Sequence, residues 1–185
     1  MGKRFANEMS TRDVLSALVS QQVGGTVFLI FTQNIRNSLK ACETYFDKNL
    51  VLSGESAELL AENLRIPQKS FCQTIELYNE YVRDENDFEF GRKRSDMPCE
   101  LSTPPFYAIE VMPAVHYTIG GLKINEDAQV INTKGEVVPG LFASGEVTGG
   151  VHGGNRLGGN AVADTVVFGK IAADSALRYV KSLDE

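Results

Sequence analysis

Gly145-Glu146-Val147-Thr148-Gly149-Gly150-Val151-His152-Gly153-Gly154-Asn155-Arg156-Leu157-Gly158-Gly159-Asn160-Ala161 runs straight into a long helical pattern. Seven of these seventeen residues are glycine, which gathers where the backbone needs positive φ or passes close to a ligand. The helix is predicted from about Asn160 to Val180, with Asn160 as its N-cap. Val162, Val166, Ile171, Leu177 and Val180 are expected on its apolar surface. Asp164, Lys170, Asp174, Arg178 and Lys181 are expected on its wet side. Free N–H groups and the positive dipole end at Ala161–Ala163 favour an electron-rich atom. Neither G-x-G-x-x-G nor the P-loop pattern occurs, and Gly169-Lys170 lies inside the helix. Spacing alone leaves two readings open, a ligand loop and a tight structural corner.

Upstream of this loop, Leu141–Ser144 reads as a short buried strand, and Val130–Val138 as a hairpin around Lys134-Gly135. Strands are also expected at Phe106–Val111, Ala114–Thr118 and Leu122–Ile124. The composition changes near residue 120. Before it, helices are predicted from Ser10 (with Asp13 in capping-box-like spacing) to about Gln22, and over Asn34–Phe46, Ser56–Leu64 and Pro67–Asp84. A strand is expected at Thr26–Phe31. Phe71, Ile75, Tyr78 and Val82 make one face of the fourth helix, and Pro67 suits its first position. Asp84–Asp96 is highly charged and reads as a surface loop.

The chain has 185 residues, 43% hydrophobic and 23% charged, which is ordinary for a globular protein. Its net charge of −6, with no basic cluster, argues against nucleic acid as a partner. No apolar run approaches the roughly 18–20 residues of a membrane span, and the start lacks a secretion signal, so a cytoplasmic location is expected. Cys42, Cys72 and Cys99 are scattered, with no zinc spacing and no disulfide framework, so no metal is expected.

Only two histidines occur, His116 and His152. A histidine in a strand is more often structural than catalytic. Arg156 sits where loop meets helix; its fork suits a carboxylate, or equally braces loop carbonyls. Arg12, beside Asp13 in a first helical turn, reads by itself as solvated or locally paired. The tyrosines carry no catalytic pattern and are assigned to packing.

Four stretches occur in order: Gly2–Glu8 with Ser10-Thr-Arg-Asp13, Val115-His-Tyr-Thr-Ile-Gly-Gly121, Pro139-Gly-Leu-Phe-Ala-Ser-Gly-Glu146, and Gly149–Ala161. Together they resemble the soluble fumarate reductase flavoproteins, the FAD-dependent family that includes urocanate and other enoate reductases. The resemblance implies an α+β chain with a mixed, largely helical substrate-capping domain. It adds a β-hairpin and a long C-terminal helix belonging to a Rossmann-like FAD domain that is incomplete here. The implied boundaries are a remnant of the FAD domain at 1–8, the capping domain at 9–118, and the returning part of the FAD domain at 119–185. The N-terminal FAD-binding half, with its dinucleotide fingerprint, is expected to lie outside this sequence and to be a necessary partner.

The same resemblance implies roles. Arg12 matches the proton donor. His116 and Arg156 match residues gripping the carboxylate of a small unsaturated acid, with Thr118 and Gly159 also on the substrate. Glu146, Gly154, Asn155, Asn160, Ala161 and Val162 match FAD contacts. The implied reaction is hydride transfer from flavin to the C=C of a fumarate-like acid. The alternatives are a urocanate or aryl-acrylate reductase, and a flavin-free, inactive fragment or accessory module. A ketosteroid dehydrogenase fits less well, because His116 with Arg156 suits an anion.

Overall fold

The computed structural model describes residues 2–184, and the chain divides into two compact units between Pro113 and Ala114. In the first unit, helix α1 (Arg12–Ser20) is followed by strand β1 (Val27–Thr32). Thr11, not Ser10, is the N-cap of α1. The Thr11 hydroxyl, helped by the N–H groups of Asp13 and Val14, holds the Asp13 carboxyl below its usual range.

The single helix expected over 34–46 is broken. It becomes α2 (Gln33–Ser38), a 3-10 turn, and α3 (Glu43–Asp47), because Leu39 adopts φ −129°, ψ 88°. An unbroken helix of that length would carry Phe46 roughly 20 Å along its axis. The break instead brings its ring edge-on to Tyr107 (5.0 Å between centroids) and Phe31 (6.4 Å).

Strand β2 (Val51–Gly54), not expected from the sequence, forms one edge of a three-stranded antiparallel sheet. Its centre is β3 (Phe106–Val111), paired with β1 through Phe31↔Tyr107 and with β2 through Val51↔Ile109. β3 is buried on both faces, so its side chains divide by parity. Phe106 and Ala108 join the core formed with helices α4 (Ala57–Asn63) and α5 (Gln68–Arg83), which includes Leu60, Phe71, Ile75, Tyr78 and Val82. Tyr107 and Ile109 face the opposite cluster with Phe31 and Cys42. The four-residue face expected on α5 is therefore its core face, while Pro67 is the N-cap rather than the first helical residue.

The charged segment 84–96 is not wholly a surface loop, since Asp87 is buried within it. Its carboxylate accepts from Arg4 (2.8 Å) and from the N–H groups of Glu89, Phe90 and Arg92 (3.1–3.2 Å). This clip binds the N-terminal segment to the unit.

In the second unit, residues 114–121 form neither helix nor ladder, so the strand expected at 114–118 does not form among the described residues. β4 (Leu122–Lys123) pairs in parallel with β7 (Thr148–Gly149), and β5 (Gln129–Ile131) pairs antiparallel with β6 (Val137–Phe142). The β5–β6 turn is the expected hairpin. Asn132 Oδ1 accepts from the N–H groups of Lys134 and Glu136, and Gly135 takes φ 88°.

Helix α6 (Asn160–Lys181) closes the unit, with Gly159 rather than Asn160 as N-cap. Gly159 has φ 86°, a left-handed conformation that glycine adopts without steric cost, and this shifts the cap back by one residue. The expected wet side fails at Asp164, and the expected apolar surface is largely exposed. Asp164 and Ser175 lie on the buried side, where Tyr179 meets Phe142 (6.2 Å between centroids). Val162, Val166, Leu177 and Val180 are 55–71% exposed. The mixed fold with a long C-terminal helix is as expected.

Candidate functional site

The glycine-rich segment leads into α6, and its polar side chains converge there. His152 Nε2 lies 3.1 Å from Asp164 Oδ2. The His152 ring stands edge-on to Tyr117, 6.1 Å between centroids. Over the Tyr117 ring lies the Arg156 guanidinium, 4.3 Å from the centroid. Arg156 Nη1 donates to the Leu157 carbonyl (3.1 Å), while its Nε is buried without a partner among the described residues. The guanidinium thus braces one loop carbonyl and retains an unused, inward-facing donor, the two properties between which the sequence could not choose.

Thr118 and Glu146 form a second cluster. Glu146 Oε1 accepts from the Thr118 N–H (2.8 Å) and hydroxyl (3.3 Å). That contact ties the irregular segment carrying His116 to the turn at 145–147. Thr148 Oγ1 donates to the Gly145 carbonyl (2.7 Å), and β7 starts there. The close pairing of β7 with β4 demands glycine at Gly149 in β7 and at Gly121 just before β4. A Cβ on Gly149 would come 2.6 Å from Gly121 N, and one on Gly121 would come 2.7 Å from Val147 C.

Several expected site residues are thus gathered in one region of the second unit: Thr118 with Glu146, and Arg156 with the start of α6. His116 is exposed and makes no hydrogen bond among the described residues. Val162 is less suited to donate than expected, because its N–H already bonds the Gly159 carbonyl (3.0 Å). Gly154, Asn155, Asn160 and Ala161 line the exposed loop and helix start, with Ala161 half-buried. In the first unit, Arg12 is exposed and opens α1.

Tyr117, His152 and Asp164 were not among the expected site residues. From the sequence Tyr117 reads as a packing residue and Asp164 as part of the wet side of α6. A signal existed for Asp164: it shares a helical face with Phe168, Ile171 and Ser175, at spacings of four, seven and eleven.

The FAD binding domain family matches residues 1–162. This chain belongs to that family. Among its relatives is the fumarate reductase (cytochrome) of Shewanella frigidimarina, 42% identical over 97% of this chain and 31% of the relative. The urocanate reductase of Eggerthella lenta is 36% identical over 95% of this chain and 30% of the relative. The open conformation of a flavocytochrome c3 fumarate reductase superposes with a TM-score of 0.76 at 42% identity, covering 96% of this chain and 31% of that one. The chain therefore spans about a third of the length of these relatives.

The residues of this FAD-family chain fit part of the cofactor. Added Cβ atoms on Gly150, Gly153, Gly154 or Gly159 would meet nothing within 4 Å, so that side of the loop lies open. Among the described residues only Oε1 of the Glu146 carboxylate is engaged, which leaves Oε2 to accept from a hydroxyl. The start of a 22-residue helix supplies positive potential for an electron-rich ring edge. These features suit the flavin and its sugar-like chain. A pyrophosphate fingerprint is absent from residues 1–185.

Proposed function

We propose that this chain is the capping and C-terminal portion of an FAD-dependent reductase that saturates the C=C of a small unsaturated carboxylate, fumarate or a close analogue. The observation that carries the reading is Arg156. Its guanidinium is stacked on Tyr117 beside the α6 N-terminus, with Nε buried and unpartnered among the described residues. A buried donor without a partner is costly unless a ligand completes it. A carboxylate accepting from the guanidinium fork is the acceptor that fits.

In this reading residues 9–118 are the capping domain and 119–185 the returning part of the FAD domain, with 1–8 entering from that domain. Glu146, Gly154, Asn155, Asn160 and Ala161 hold FAD, and Val162 contributes through the helix start. Bound FAD supplies a hydride to the alkene. His116 and Arg156 grip the substrate carboxylate, with Thr118 and Gly159 beside it. Their positive charge stabilises the enolate-like charge that develops next to the carboxylate more than it stabilises the ground state. Arg12 then delivers a proton to the substrate carbon. A guanidinium keeps its proton to above about pH 12, so it yields one only to a group as basic as a nascent carbanion and must be reprotonated afterwards.

The missing N-terminal FAD-binding half is part of the proposal. The exposed Val162, Val166, Leu177 and Val180 along α6 form an apolar stripe of the kind that another domain covers. Titrating FAD into the purified chain, alone and together with that half, tests the cofactor assignment through the visible flavin spectrum. Retained flavin with turnover of fumarate supports the reading. A colourless chain that stays inactive with its other half favours an accessory module. Rates compared between fumarate, urocanate and an aryl acrylate separate the alternative substrates.

A further inference from the structure

Asp164 is the one buried carboxylate among the described residues of the second unit, with its side chain 2% exposed. Burying a carboxylate on a helix face costs several kcal/mol unless it is well paired, and aspartate is a weak helix former. Oδ2 meets His152 Nε2, whereas Oδ1 is buried without a donor among the described residues. The hydrogen bonding of this carboxylate is thus concentrated on a single imidazole nitrogen. An ionised carboxylate only accepts, so the proton between the two groups resides on Nε2. The start of α6 lies one turn away and favours the anion. His152 in turn stands against Tyr117, and Tyr117 carries the Arg156 guanidinium on its face.

We infer that Asp164 is a positioning residue: it locks His152 in the Nε2–H form and, through the His152–Tyr117 contact, fixes the guanidinium of Arg156 for its anion. The carboxylate itself never touches substrate or flavin. The inference rests on the reading of Arg156 given above for its functional consequence, but not for the state of His152. A merely structural pair would anchor the loop, and even hold the same tautomer, without effect on anion binding.

Nitrogen-15 NMR of the labelled chain tests this, with His116 as internal reference. Wild-type His152 is expected in the Nε2–H form; the Nδ1–H form overturns the inference with no variant needed. Asp164→Asn keeps a hydrogen-bonding group but can donate to Nε2 as well as accept from it, so a mixed or inverted tautomer is expected. In parallel, fumarate is titrated while the Arg156 Nε–H resonance is followed. Asp164→Asn is expected to weaken the fumarate response at least ten-fold. His152→Gln, which can still donate to Asp164 but has no ring to meet Tyr117, is expected to weaken it similarly while restoring most of the unfolding midpoint. Variants that lower the midpoint but leave tautomer and fumarate response unchanged overturn the inference. If wild-type Arg156 does not respond to fumarate, the carboxylate-binding reading fails, and the tautomer measurement still decides whether Asp164 sets the state of His152.

Discussion

Arg156 lays its guanidinium on the face of Tyr117, with 4.3 Å between the guanidinium carbon and the ring centroid. Stacking of this kind holds a planar cation flat while leaving its edge donors free. An arginine in a glycine-rich loop would otherwise sample many rotamers, and ordering it at the moment of binding would cost affinity. The tyrosine bears that ordering in advance.

Arg156→Lys should therefore raise the KM for fumarate in the complete flavoprotein by about 10- to 100-fold, from charge-assisted hydrogen bonds worth roughly 1.5–3 kcal/mol. Lysine keeps the charge but lacks both the fork and the flat surface. Steady-state kinetics measure it, and an unchanged KM removes Arg156 from the carboxylate site.

Arg12→Gln should lower kcat by about 10²- to 10⁴-fold, the range for loss of a positioned proton donor. The flavin should remain bound, as judged by its visible spectrum. Normal turnover in this variant would assign the proton to another group.

Asp87 should control acid stability of the first unit. Burial alone would raise its carboxyl, but hydrogen bonds from Arg4 and from the N–H groups of Phe90 and Arg92, with the Arg4 charge, pull it down to about 2 from 3.8. The stabilisation is thus fully present above about pH 4, the ordinary aspartate value, and is lost as pH falls toward the folded-state value. Asp87→Asn leaves Arg4 without its buried anion and should cost about 3 kcal/mol at neutral pH, with the difference from wild type shrinking below about pH 4. Urea unfolding at several pH values checks both parts.

Gly121 and Gly120 are neighbours with opposite expectations. A Cβ at Gly121 would come 2.7 Å from Val147 C and 2.9 Å from Thr148 C, whereas one at Gly120 would meet nothing within 4 Å. Gly121→Ala should part the β4–β7 pair and cost about 1–3 kcal/mol, while Gly120→Ala should stay within about 0.5 kcal/mol of wild type. Equal midpoints in thermal unfolding would contradict the close approach.

Much of this arrangement was legible from local pattern. The apolar spacing of Phe71, Ile75, Tyr78 and Val82 located the core face of α5, because here the shared apolar side is also the side the sheet covers. The turn at Lys134-Gly135 was readable because its chemistry is contained within a few residues. The strand at Leu122–Ile124 was readable as β4, whereas the unexpected β2 was harder. Val51–Gly54 shows no clean alternation, and β2 exists because β3 lies beside it. The break at Leu39 likewise has no local cause, since no glycine or proline interrupts 33–47; the reward lies in where Phe46 ends up.

By itself the sequence determined the family, through four ordered motifs, and most of the long elements, through periodicity and turn chemistry. Only the tertiary structure decided that Asp164 turns inward to His152, and that Val162 and Val166 face out. Periodicity tells which residues of a helix share a side but not which side is covered, because that depends on the surface lying against it. Here Asp164 on the polar stripe meets an imidazole and Tyr179 of the same helix meets Phe142, while the apolar stripe is left uncovered within the second unit.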